Sequence, residues 1–205
     1  MPPFFILMPK KQVGSSSTKE ILTPEEIEAL INAESNGVLG ARNKAMFMLM
    51  WKTALRRSEV VDLFPADLNW KENKVRVRNG KGQKDDFSVL PNSVKPFIET
   101  WMLQREKLGI KKTAPLFCAT SKNPGKKIFP QYIFNRLQVL AKKAGVTKKV
   151  FPHIFRRSAA TQLLGKGYDL TEVQAQLRHK STLATHAYLV IANKEELAKK
   201  MADDF

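Results

Sequence analysis

The sequence predicts a mainly α chain with a small antiparallel β-sheet (α+β). Two patterns carry that expectation. Apolar residues recur at helical spacing over most of the chain, and one short stretch, Lys74-Val75-Arg76-Val77-Arg78, alternates basic and apolar residues as a half-buried strand does. The first helix starts at Thr23-Pro24-Glu25-Glu26, where Thr23 suits the N-cap, Pro24 the first helical position and Glu26 the third position of a capping box. Its apolar stripe is Ile27, Leu30 and Ile31. A second, largely buried helix is expected over Ala41–Trp51, with its methionines as core filler, and a third short one over Ser58–Leu63.

The strand at Lys74–Arg78 leads into a turn at Asn79–Lys84, and Phe87-Ser88-Val89-Leu90 reads as the returning strand, ended by Pro91. Helices are then expected over Val94–Leu108, Ile128–Ala144 and roughly His153–Leu164. The next spans Leu170–Leu177, entered through Asp169-x-x-Glu172, and two more lie near Ala184–Ile191 and over Glu195–Met201. No internal repeat is visible. The Ser-rich lead-in (Gly14-Ser15-Ser16-Ser17) divides the chain into a flexible or arm-like segment 1–20, a domain over 21–191 and a C-terminal tail 192–205.

A chain of 205 residues with 43% apolar content can bury a proper core as one substantial domain. Its net charge of +16, from 35 Lys and Arg against 19 Asp and Glu, favours a polyanionic partner, because neutralising phosphates releases condensed counterions. A single cysteine, Cys118, excludes an internal disulfide framework and a Cys-rich zinc site, and its apolar surroundings read as core. Phe4-Phe5-Ile6-Leu7-Met8 is too short to span a bilayer and lacks a basic leader, so no membrane is expected, and a reducing cytoplasm fits.

The residues with chemistry to offer fall in an ordered set. Thr53-Ala54-Leu55-Arg56-Arg57-Ser58-Glu59 comes first, then a lysine turn, Gly80-Lys81-Gly82-Gln83-Lys84. His153-Ile154-Phe155-Arg156 follows, then Leu177-Arg178-His179-Lys180-Ser181 and Tyr188. Together they supply guanidiniums, proton-transfer groups and a phenol, the equipment for cutting a phosphodiester without a metal. No Asp/Glu cluster suggests Mg²⁺ and no Gly-rich Walker loop suggests ATP, so neither metal nor cofactor is expected. Taken singly, each box is bland: a lone tyrosine or histidine is usually structural, and Gly-Lys-Gly is an ordinary turn.

In order and spacing, the set resembles the tyrosine recombinases (phage integrase family), over about Leu22 to Tyr188. The family's first box is Thr-Gly-Leu-Arg-x-Ser-Glu and its third His-x-x-Arg, followed by a Leu-Gly-His-x-Ser box; here Ala54 and Arg178 stand where the family has glycine. The resemblance implies the catalytic-domain fold of that family and a site-specific recombinase of integrase or invertase type, working through a covalent 3′-phosphotyrosine. It implies Arg56 and Arg156 as phosphate-neutralising cations, Tyr188 as nucleophile and Lys81 as general acid, with Lys84 its rival. His179 would hydrogen-bond the phosphate and His153 assist proton transfer. Arg57, Arg157, Lys84 and Lys180 are candidate DNA-backbone contacts or surface charge, and Glu59 is placed to orient arginines. Implied partners are double-stranded DNA, three further copies of the chain in a tetramer, and accessory DNA-bending proteins. The tail around Glu195–Met201 would dock on a neighbouring subunit. Members of this family usually carry an N-terminal core-binding domain, and the residues before Thr23 are too few for one. The chain therefore reads as an isolated catalytic domain or a short member of the fimbrial phase-variation kind. Alternatives are a catalytically silent DNA-binding regulator of the same fold, and a type IB topoisomerase or telomere resolvase.

Overall fold

The computed structural model describes residues 20–78, 85–179, 185, 188, 192 and 193. Seven helices and a three-stranded sheet make up these residues: α1 (Pro24–Asn32), α2 (Val38–Thr53), α3 (Arg57–Val61), β1 (Leu68–Asn69), β2 (Lys74–Val77), β3 (Asp86–Val89), α4 (Lys95–Lys107), α5 (Pro130–Lys143), α6 (Pro152–Gly165) and α7 (Leu170–Leu177). The mainly α architecture with a small antiparallel sheet is the one expected. Among the described residues no helix is long and apolar enough to cross a membrane. The helices expected near 184–191 and 195–201 lie largely outside the described residues, as do the 1–20 lead-in (except Glu20) and the turn holding Lys81 and Lys84.

Local chemistry explains most boundaries. The capping box of α1 is made: Glu26 N–H donates to Thr23 Oγ1 at 3.2 Å and Thr23 N–H to the Glu26 carboxylate at 2.8 Å. Asp169 and Glu172 repeat the exchange at α7, both at 2.8 Å. Helix α2 starts at Val38, three residues before the expected Ala41. Its two flanking glycines look like breakers, yet Gly37 is the N-cap at φ 95°, and a Cβ on Gly40 would sit 1.7 Å from the Ser35 carbonyl oxygen. Glycine is demanded there by close approach, and the helix runs through it.

Helix α2 is the centre of the core. Ala45, Met46, Phe47, Leu49 and Met50 are fully buried, and the helix packs against α4, α6 and α1. The methionines are core residues, as expected, and Cys118 is buried too, its thiol pushed up by burial. The sheet runs β1-β2-β3, all antiparallel, with Leu68 opposite Val75 and Val75 opposite Ser88. Strand β2 alternates as expected, Val75 and Val77 inward. The two-residue β1 is too short to leave a sequence signature. In β3 the pattern is inverted, because Ser88 faces in while Phe87 and Val89 face out. Ser88 Oγ donates to the Thr53 carbonyl at 2.8 Å, so the inward polar residue fastens the sheet to the end of α2. The amide of Gln176, at the end of α7, accepts from Val89 N–H at 2.9 Å and donates to its carbonyl at 3.3 Å.

A buried polar network closes the far side. Glu34 receives Arg136 through Nε and Nη2, both at 2.6 Å, and Asn43 Nδ2 at 2.7 Å, joining the α1–α2 loop to α2 and α5. Asn43 Oδ1 in turn accepts from Arg42 and from the Tyr132 hydroxyl. Glu34→Ala would leave Arg136 and Asn43 without their acceptor, and a stability loss of roughly 3–5 kcal/mol is expected. Urea denaturation measures it; an unchanged midpoint would show the network to be incidental.

Candidate active site

The first box is built by the way α2 stops. Ala54 takes the left-handed conformation, φ 54° and ψ 26°, and turns the chain so that Arg56 becomes the N-cap of α3. Glu59, in the first turn of α3, accepts the Arg56 backbone N–H at 2.6 Å and Arg56 Nη1 at 2.7 Å. The guanidinium is thereby held by its own helix while its side chain stays 44% exposed.

Helix α6 supplies the facing wall. Pro152 occupies its first turn, and His153 and Arg156 are three residues apart on one face. Both line a cleft of about 470 Å³ together with Leu55, Arg56, Arg57, Ser58, Phe134, Phe151 and Pro152. Phe155, between them, points into the core. His153 is exposed, whereas Arg156 is 1% exposed. Arg156 Nη1 donates to the Ala54 carbonyl at 2.6 Å and Nη2 to the Leu177 carbonyl, while its Nε is buried with no hydrogen-bond partner among the described residues. Burial, then the neighbouring Arg56 and Arg178, push the Arg156 guanidinium down to about 9, which leaves it charged at neutral pH.

The end of α7 closes the cluster. Arg178 is also left-handed, φ 53° and ψ 44°, and its nearly buried side chain donates from Nη2 to Glu59 at 2.6 Å. Burial opposes ionisation of Glu59, but Arg178 and then Arg56 outweigh it and hold the carboxyl below its ordinary value. His179 follows directly, its Nδ1 hydrogen-bonded with Thr185 Oγ1 at 2.9 Å, and its ring centre lies 6.3 Å from that of Tyr188. Tyr188 is itself buried, at 6% exposure.

The structure thus gathers Arg56, Arg57, His153 and Arg156 in one cleft and sets His179 beside Tyr188, near enough for Arg156, Arg56 and His153 to act on the imidazole. Arg157 turns elsewhere: its Nη1 donates to the Glu20 carbonyl at 3.0 Å and its guanidinium lies 5.8 Å from the Phe151 ring centre. Lys81, Lys84 and Lys180 fall outside the described residues. Arg178, standing where the family has glycine, could be expected to crowd His179 or add a phosphate contact; its ion pair with Glu59 was not foreseen. Sequence reasoning also missed Phe134 and Phe151, which carry no motif. Three guanidiniums balanced against the Glu59 carboxylate, with a neutral imidazole and a phenol beside them, suit the binding of a phosphate-type oxyanion.

Burial, followed by Arg156, Arg56, His153 and Arg178, lowers His179 to about 4. An unfolded histidine titrates near ~6.5, so the unfolded chain takes up this proton first. The stability contributed by the neutral ring is therefore complete above about 6.5 and falls as pH drops towards about 4. NMR titration of the His179 imidazole is expected to show a midpoint near pH 4; an ordinary midpoint would mean the cationic cluster does not act on it.

Comparison with known proteins agrees with this geometry. The Phage integrase family profile matches residues 20–195. Tyrosine recombinase XerD of Oceanobacillus iheyensis is 32% identical over 187 residues, covering 91% of this chain and 62% of the relative. Tyrosine recombinase XerA of Pyrococcus furiosus is 30% identical over 173 residues, covering 84% and 58%. The chain spans about three fifths of the length of these curated relatives. Among solved structures, XerA recombinase superimposes with a TM-score of 0.75 at 26% identity, covering 88% of this chain and 65% of that one. XerH site-specific recombinase bound to difH substrate, a pre-cleavage complex, superimposes with a TM-score of 0.71 at 26% identity, covering 82% and 49%. With the family profile matched over residues 20–195 and relatives about 30% identical over most of its length, the chain belongs to the phage integrase family.

Proposed function

We propose that the chain is the DNA breaking–rejoining part of a site-specific recombinase of integrase or invertase type. The observation that carries this reading is the convergence of Arg56, His153 and Arg156, from boxes 100 residues apart, on one cleft, with His179 and Tyr188 side by side and within electrostatic reach of Arg156. A regulator that only binds DNA has no need of a nucleophile, and Tyr188 stands beside His179. The net charge of +16 and the DNA-bound recombinase among the similar structures support DNA as the partner.

In this reading the Tyr188 oxygen attacks phosphorus, forming a 3′-phosphotyrosine as the bond to the 5′ oxygen breaks. The phenol proton passes to a base, with His153 nearest in role, and the departing 5′ oxygen takes a proton from Lys81. Arg56 and Arg156 neutralise the non-bridging oxygens, Arg156 from a site already stripped of water. His179 uses Nδ1 for Thr185, so Nε2 is the nitrogen that addresses the phosphate. Religation reverses the steps with a 5′ hydroxyl from the partner strand, so bond energy is conserved without ATP or metal. Residues 21–191 form the reacting unit, and 192–205 dock on a neighbouring copy within a tetramer assembled on two sites. Arg57 lines the cleft and is the described residue best placed to follow the DNA backbone, with Lys84 and Lys180 assigned the same role from sequence. Accessory DNA-bending proteins assist, and the setting is the cytoplasm.

Nicked suicide duplexes tiled from the DNA flanking the gene, incubated with protein in EDTA and run on a denaturing gel, test this reading. A protein–DNA adduct is expected with wild type and not with Tyr188→Phe, and Arg156→Ala should form it on the order of 10²–10³ more slowly. Tight DNA binding with no adduct would favour the silent regulator. The general acid is separable from its rival: Lys81→Ala should be slow on ordinary DNA and recover with a 5′-bridging sulfur, whose thiolate leaves without a proton. Recovery of Lys84→Ala instead would reassign the role.

A further inference from the structure

We propose that Arg178 is a positioning residue for Arg56, acting through Glu59; the inference rests on the recombinase reading above. Arg178 occupies a left-handed backbone site that favours glycine, with φ 53°, and its side chain is only 3% exposed. It also stands among like charges, since both Arg56 and Arg156 are near enough to act on the same groups. A long cation in a strained, crowded and cationic place requires a compensating contact, and the structure shows it: Nη2 donates to Glu59 at 2.6 Å, with Asp86 at 3.9 Å from Nε.

The consequence falls on Arg56. Glu59 holds three donors: the Arg56 backbone N–H, Arg56 Nη1 and Arg178 Nη2. With Arg178 in place, the carboxylate is pinned from the α7 side and cannot swing away from the α3 N-terminus. Its charge is also shared, so Arg56 keeps its positive field for a phosphate in the cleft rather than spending it on Glu59. Without Arg178 the carboxylate is free to turn and draw the Arg56 guanidinium after it. The same contact joins the two boxes mechanically, because Arg178 directly precedes His179. Arg178 therefore registers the arginine of the first box against His179.

Arg178→Met removes the charge at similar length, Arg178→Lys keeps it, and thermal melts confirm that both fold. Expected in the suicide-substrate assay is a slowing of covalent capture by about ten- to a hundredfold in Arg178→Met, the scale of a misplaced reacting group. DNA affinity should change far less, and Arg178→Lys should recover most of the rate. In a Glu59→Gln background, Arg178→Met should add little further loss. A wild-type rate in Arg178→Met, or losses that multiply in full with Glu59→Gln, would overturn the proposal. On the free protein, ¹⁵N relaxation of the Arg56 side chain should show lost order in Arg178→Met, restored in Arg178→Lys. Unchanged Arg56 order would overturn the proposal whatever the DNA assay gives, whereas absence of any wild-type adduct would sink the recombinase reading alone.

Discussion

One buried guanidinium ties the C-terminal ends of two helices together. Arg156 donates to the carbonyl of Ala54, where α2 stops, and to that of Leu177, where α7 stops. The last carbonyls of a helix lack partners within it and carry the negative end of its dipole, so a cation between two such ends satisfies both. Each helix then turns through a left-handed residue directly into a functional box: Ala54 into Arg56, Arg178 into His179. The relative placement of the two boxes is thus set by Arg156, a member of the third. That arrangement gives the arginine a structural task, and its desolvated state is a property of the fold before any ligand arrives.

The two left-handed turns explain where the sequence departs from the family pattern. A side chain at such a position costs about 1–2 kcal/mol relative to glycine. Ala54 is fully buried and small, and its carbonyl is held by Arg156, so the backbone has little freedom to relax. Arg178 offsets its cost through the ion pair with Glu59. The electrostatic balance around these turns is lopsided: Arg56, Arg156 and Arg178 face the Glu59 carboxylate, and burial together with that surplus keeps His179 neutral.

Much of this was legible in the sequence because the signals were local. The α1 and α7 capping boxes, the β2 alternation and the i, i+3 pairing of His153 with Arg156 each need only a few neighbouring residues. What stayed hidden depended on distant ones. Gly40 reads as a breaker until the Ser35 carbonyl is seen against it. Strand β3 hides its inverted face because Ser88 is bonded to Thr53, 35 residues earlier. The ordered boxes announced a cleft, but the burial of Arg156 and Tyr188 and the reach of Arg178 to Glu59, 119 residues away, are tertiary facts.

The amide of Gln176 has a consequence for the sheet's outer border. Among the described residues strand β3 is the terminal strand, and with Phe87 and Val89 turned to solvent it has the makings of a template for another chain's strand. Gln176 occupies both the N–H and the carbonyl of Val89, imitating one residue of a fourth strand. A single side chain therefore plugs the open ladder at its most apolar point, and leaves no free pair of groups there for the strand of a second copy.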